Sequence, residues 1–144
     1  MTKIKVAEAI RLYNEIKGMD DWSISPASIL YGLKRIKDKL LPVQKRYEEI
    51  RMDKIVNIYG EPAERGGYEI KDVEKIKLFN LDMIEIMNQE DEIDVNIIPV
   101  EELETASILI PVRNKQGQIT GREQGSFTMN FMELYEDVFF PNFS

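Results

Sequence analysis

The sequence predicts an α+β fold that is mainly α: a long helical hairpin with a small β-hairpin and a C-terminal helix and aromatic tail. Three observations predict it. Across residues 25–60, Ile29, Leu33, Ile36, Leu40, Val43, Tyr47 and Ile50 follow one another at steps of four and three, which sets them along one stripe of a 3.6-residue helix. Across residues 71–90, Val73, Ile76, Phe79, Met83 and Ile86 repeat that spacing. From Ile93 onward the apolar period shortens to two, the mark of a strand with one buried face.

Each element follows in order. Residues 3–17 read as a first helix with Val6, Ile10, Tyr13 and Ile16 on one side, ended by Gly18. The connector 19–24 carries Asp20, Asp21 and the single tryptophan, Trp22, whose ring is expected to staple the junction with the next helix. Ser25 is placed to cap the long helix, Pro26 to occupy its first position, and Gly60 to end it in the left-handed conformation. Pro42 lies inside and removes one hydrogen bond, so a kink is expected there, at a cost of about 3 kcal/mol in a regular helix. Run straight, residues 26–59 would extend ~50 Å. The Pro62, Gly66 and Gly67 region reverses the chain, and the second helix is expected to return antiparallel along the far half of the first. Leu78, Leu81, Ile84 and Met87 widen that helix's apolar surface beyond one stripe, which suggests contact on two sides.

Beyond residue 90, Ile93, Val95 and Ile97 alternate as a short strand that Pro99 ends or keeps at an edge. Residues 100–104 form a helical turn. Residues 107–113 form a second strand, Asn114 to Gly117 a turn, and residues 118–122 the returning strand of a β-hairpin. In residues 126–140 the two periods compete; Phe127, Phe131, Leu134 and Val138 favour a helix begun at Ser126, followed by an aromatic tail of Phe139, Phe140 and Phe143. All 144 residues form one domain: 1–24 helix and connector, 25–90 helical hairpin, 91–125 strands, 126–144 helix and tail.

The chain holds neither Cys nor His, which removes thiolate and disulfide chemistry, the commonest general base and the commonest transition-metal ligand. No apolar run approaches the ~18 residues of a membrane span, so a soluble intracellular protein without a membrane partner is expected. The net charge of -7 is unevenly spread: residues 1–60 hold 12 Lys and Arg against 8 Asp and Glu, residues 61–144 hold 7 against 18. Two readings follow, halves that fold together and compensate each other, or a basic face for an anionic partner.

Gly117, Gly121 and Gly125 lack the strand, spacing and Lys of a phosphate loop. Asp91, Glu92, Asp94, Glu101, Glu102 and Glu104 lack the glycine-centred loop of a calcium hand and read as a solvated acidic edge. Lys34, Arg35, Lys37, Lys45, Arg46, Arg51 and Lys54 on the long helix are interspersed with Asp38, Glu48, Glu49 and Asp53, the ordinary spacing of intrahelical pairs, so nucleic acid is not the expected partner. No catalytic residue, cofactor site or metal site is expected.

The Ser25-Pro26-Ala27 start, the helix ending Tyr47-Glu48-Glu49-Ile50-Arg51 and Ile58-Tyr59-Gly60-Glu61, the Tyr68-Glu69-Ile70 turn, the helix through Phe79 and Met87, and the run from Glu92 to Leu103 resemble a family of small bacteriophage proteins of unassigned function. The resemblance covers roughly half the chain and implies a viral or prophage origin, in the infected host's cytoplasm or in the virion. It brings no active site. The expected role is therefore a non-catalytic virion component or assembly factor that contacts other phage proteins or itself. The alternatives are an inhibitor of a host defence system or host enzyme, acting through acidic residues 90–104, and a nucleic-acid-binding accessory protein. The expected contact residues are Phe131, Leu134, Tyr135, Val138, Phe139, Phe140 and Phe143 of the tail, with Arg113 and Lys115 at the hairpin tip.

Overall fold

The computed structural model describes residues 1–141; Phe143 lies outside the described residues. Two antiparallel pairings bring distant parts of the chain together. Strand β1 (Thr2–Lys5) pairs with β5 (Glu90–Ile93), setting Lys3 opposite Glu92 and Lys5 opposite Glu90. Ile4 and Ile93 point from this ribbon into the core. Strand β2 (Ser23–Ser25) joins β6 (Ser107–Arg113), which pairs in turn with β7 (Ile119–Gly125) across a turn where Gly117 has φ 80°.

Helix α1 (Val6–Lys17) starts where the amide of Lys5 donates to the Glu8 carboxylate, and it buries Val6, Ala9, Leu12 and Ile16. These residues meet the stripe of α2 (Ala27–Asp53), of which Ile29, Leu33, Ile36, Leu40 and Val43 are buried. The helix continues through Pro42, whose ring lies on the solvent side, where water can satisfy the freed carbonyl of Asp38. It then widens into a π-helical segment, Lys54–Tyr59.

Gly60 does not adopt the expected left-handed conformation: it is extended, with φ −87° and ψ 167°. What requires glycine here is space, because a Cβ would stand 2.0 Å from the Ile55 carbonyl oxygen. Ser25 likewise is not the cap of the long helix; it is spent in the β2 ladder opposite Ser107, and Pro26 stands at the cap position. Residues 3–5, expected as helix, are strand because β5 supplies a partner.

Beyond Gly60 the chain turns back through a small ribbon, β3 (Glu61–Pro62) and β4 (Tyr68–Glu69), closed by Gly66 and Gly67 at φ 90° and 73°. Helix α3 (Val73–Met87) follows, its first amides capped by the Asp72 carboxylate. It meets chiefly the π-helical segment rather than the far half of α2, and only Met83 is buried. The short helix α4 (Val100–Glu104) inserts Leu103 into the core. The last helix, α5 (Met129–Phe139), is capped by Thr128, whose hydroxyl accepts from the Phe131 amide, and it packs on α1 and β1.

The expected strand over 93–97 is displaced: pairing ends at Ile93, and residues 94–99 run as irregular chain. Their hold is Tyr135, fully buried, whose hydroxyl donates to the Ile98 carbonyl at 2.7 Å and accepts from the Ile98 amide at 2.8 Å. The Ile98 side chain lies against Gly32 of α2, where a Cβ would meet it at 2.8 Å. One phenol thus satisfies a backbone that has no sheet neighbour.

Burial pushes the Tyr135 phenol well above its ordinary range, Glu102 adding in the same direction while the Ile98 backbone bond acts against it. The phenol is neutral in both states until about pH 10, above which the unfolded chain ionises first. Stability should therefore fall as pH rises past that point. Tyr135→Phe should cost about 1–3 kcal/mol in urea melts at neutral pH by leaving both Ile98 groups unpaired, and the alkaline decline should be shallower in the variant; unchanged stability would contradict the hook.

Candidate interaction surface

The tail residues expected to dock on a partner are largely core. Phe127, Phe131, Tyr135 and Phe139 form a ladder along α5 with ring centroids 5.2, 5.8 and 4.8 Å apart, and all four are buried. Val138 is buried as well, while Leu134 and Phe140 are half-buried against the same cluster. The four-residue spacing that favoured a helix here is the spacing of its contact with α1 and β1. These side chains fill the protein's own interior, and the correction is physical: rings already removed from water have no further apolar area to offer.

The hairpin tip is also partly committed. Arg113 pairs with Asp21 and donates to the Gly117 carbonyl at 2.7 Å, and Arg122 donates to the Asp21 carbonyl at 3.0 Å. The Arg113 guanidinium holds the Asp21 carboxyl below the usual carboxylate range. Arg113 therefore ties the hairpin to the connector, whereas Lys115 stands exposed in the turn.

Opposite charges from the two halves meet elsewhere in the same way. Arg46 reaches Asp91 at 3.1 Å and Lys54 reaches Asp82 at 3.7 Å. Within the first half, the Asp20 carboxylate 2.8 Å from Lys37 raises that ammonium above its ordinary value. Part of the acidic stretch after residue 89 is thus turned toward cations of the same chain, including Lys3 and Lys5 across the β1–β5 ribbon.

Two grooves flank α5. One, of about 510 Å³, lies between α1 and α5 and is lined by Glu8, Arg11, Glu15, Glu133 and Asp137 among others. The other, of about 470 Å³, is more apolar and lies between α4 and α5, with Ile97, Pro99, Val100 and Phe140 in its walls. No group of acidic side chains among the described residues comes together as a metal-binding set. No helix among them is long and apolar enough to cross a membrane.

The largest departure from an ordinary surface is the arm. Between Val43 and Met83 no side chain is buried, yet this stretch and its continuation to Ile84 hold nine large exposed apolar residues. Five of them lie on α3: Val73, Leu78, Leu81 and Ile84 at 66%, 51%, 63% and 56% exposure, and Ile76 at 38%. Phe79, Met83 and Ile86 face the chain; Leu78, Leu81 and Ile84 lie on the far side of the helix. The wide apolar surface noted in the sequence is real, and only one of its two sides is covered.

A specific joint holds this helix in place. The Tyr59 hydroxyl donates to the Asp82 carboxylate at 2.6 Å, and its ring meets Phe79 edge-on at 6.4 Å. The hydrogen bond to Asp82, with partial burial, raises the Tyr59 phenol above its ordinary value. No sequence signal marked this joint, since its partners are 20 and 23 residues apart.

No known protein family, curated protein or solved structure matches the chain. The surface is therefore read from its own geometry.

If Gly60 provides the space in which the π-helical segment closes, Gly60→Ala should loosen the arm by roughly 1–3 kcal/mol. Hydrogen exchange should then quicken over residues 54–87 while α1 and α5 keep their protection. Equal loss of protection in both regions would show that the arm is not a separable unit.

Proposed function

We propose that this chain is a non-catalytic protein that works through contacts with other proteins, as a small component or assembly factor of a bacteriophage particle, and that α3 carries the contact. One observation supports this most: the solvent side of α3 presents Leu78, Leu81 and Ile84 as an apolar row, while only the opposite side of the helix, through Met83 and Ile86, meets the rest of the chain. Monomeric proteins seldom leave such a patch on a well-ordered helix unless something binds it. The phage setting, in the infected host's cytoplasm or in the virion, rests on the resemblance of residues 25–103.

The proposal moves the contact from the C-terminal tail to the arm, because Phe131, Tyr135, Val138 and Phe139 are buried in the core. Its test is incorporation. Purified particles, or assembly intermediates, should contain the chain by mass spectrometry, and Leu78→Glu/Leu81→Glu should be lost from them while its circular dichroism and melting stay those of the parent. Incorporation of the doubly charged variant at parental levels would remove α3 from the mechanism.

A further inference from the structure

Accepting the proposed reading of α3 as a contact face, we propose that its first occupant is a second copy of the same helix: two chains pair antiparallel through α3, with Leu81 on the two-fold axis.

The chain exposes 9635 Å², whereas a compact monomer of 16.8 kDa exposes roughly 7,600 Å² by the usual scaling. The surplus, about 2,000 Å² over the whole chain, compares with the ~800 Å² per partner that a standard stable interface removes. Nine of the sixteen large apolar side chains exposed among the described residues lie on the arm.

The face also complements itself. At 100° per residue, Leu81 centres the outer side of α3, with Lys77 and Leu78 one turn before it and Ile84 and Glu85 one turn after. Turning the helix over about Leu81 places Leu81 on its own copy and sets Leu78 level with Ile84 of the other chain and Lys77 level with Glu85. Opposite charges therefore meet one turn to either side of the central leucine pair. Shifting the register by three residues toward the N-terminus pairs Leu78 with Leu81 but sets Glu74 against Glu85, so the charges favour the first register over that one. Glu85 has no ion-pair partner among the described residues, and Lys77 reaches only Glu74, at 3.5 Å, both heavily exposed. A contact that maps onto itself under a two-fold rotation closes at two copies.

The test is sedimentation equilibrium of the full chain from 1 to 200 µM, combined with a cysteine probe. The parent should be dimeric at the upper concentrations, and Leu81→Glu should weaken association by at least about 30-fold without changing the helical signal. Lys77→Glu should weaken it too, and Lys77→Glu/Glu85→Lys should restore it, which a change in helix stability alone would not do. Since the chain has no cysteine, Leu81→Cys should form a linked dimer on mild oxidation, whereas Tyr31→Cys, exposed on α2, should not. A parent that stays monomeric at 200 µM, or charge reversal without rescue, overturns the pairing. Loss of particle incorporation in the Leu78→Glu/Leu81→Glu variant of a monomeric chain would still support α3 as a contact for a different protein, so the two proposals fail separately.

Discussion

A difference in length governs the architecture. Helix α1 has 12 residues and α2 has 27, or ~18 Å against ~40 Å at 1.5 Å per residue. Because the stripe of α2 is buried chiefly against α1, burial stops where α1 stops, at Val43. Tyr47 and Ile50 continue the same stripe with no equal partner, and both retain solvent exposure. Everything from there to α3 is consequently built outside the main core, and its order depends on local devices: the π-helical segment, the space at Gly60, the Tyr59–Asp82 bond and the Asp72 cap.

Much of this was readable from the sequence, and what was missed has a common cause. The stripe of α2, the helix α3, the α4 turn and β6 (Ser107–Arg113) are local patterns of spacing and turn chemistry, and they stand as read. Failures lie where a partner distant in sequence decides. Thr2–Lys5 is too short to declare itself a strand without Glu90–Ile93 opposite it. Val95 and Ile97 alternate like a strand, but the segment from 94 to 99 is held by one tyrosine across the core rather than by a neighbouring ladder. Gly60 carries the familiar sign of a helix end, yet its reason is the Ile55 carbonyl.

That most of the expected contact rings are core has an instructive origin. An aromatic-rich terminus and an apolar-rich internal helix carry equal hydrophobic signal, and composition cannot tell which of them finds company within the chain. Here α5 finds α1 and β1, and its aromatic ladder faces inward at every fourth residue. Helix α3 carries apolar residues around more of its circumference than one neighbour can cover. The excess was visible in Leu78, Leu81 and Ile84, and because α1 is short no element among the described residues covers them.

An exposed apolar face also has to avoid unlimited association, and the two open surfaces of this fold differ in how they do so. Strand β7 is a free sheet edge whose residues are all exposed, but it carries Arg122, Glu123 and two glycines, a composition that discourages a further strand from adding. The α3 face carries its charges beside Leu81, Lys77 one turn before it and Glu85 one turn after. In the proposed antiparallel pairing these opposite charges meet, whereas the register shifted by three residues toward the N-terminus opposes Glu74 to Glu85. Under that pairing two copies satisfy each other, so the arm would stay apolar without inviting further copies.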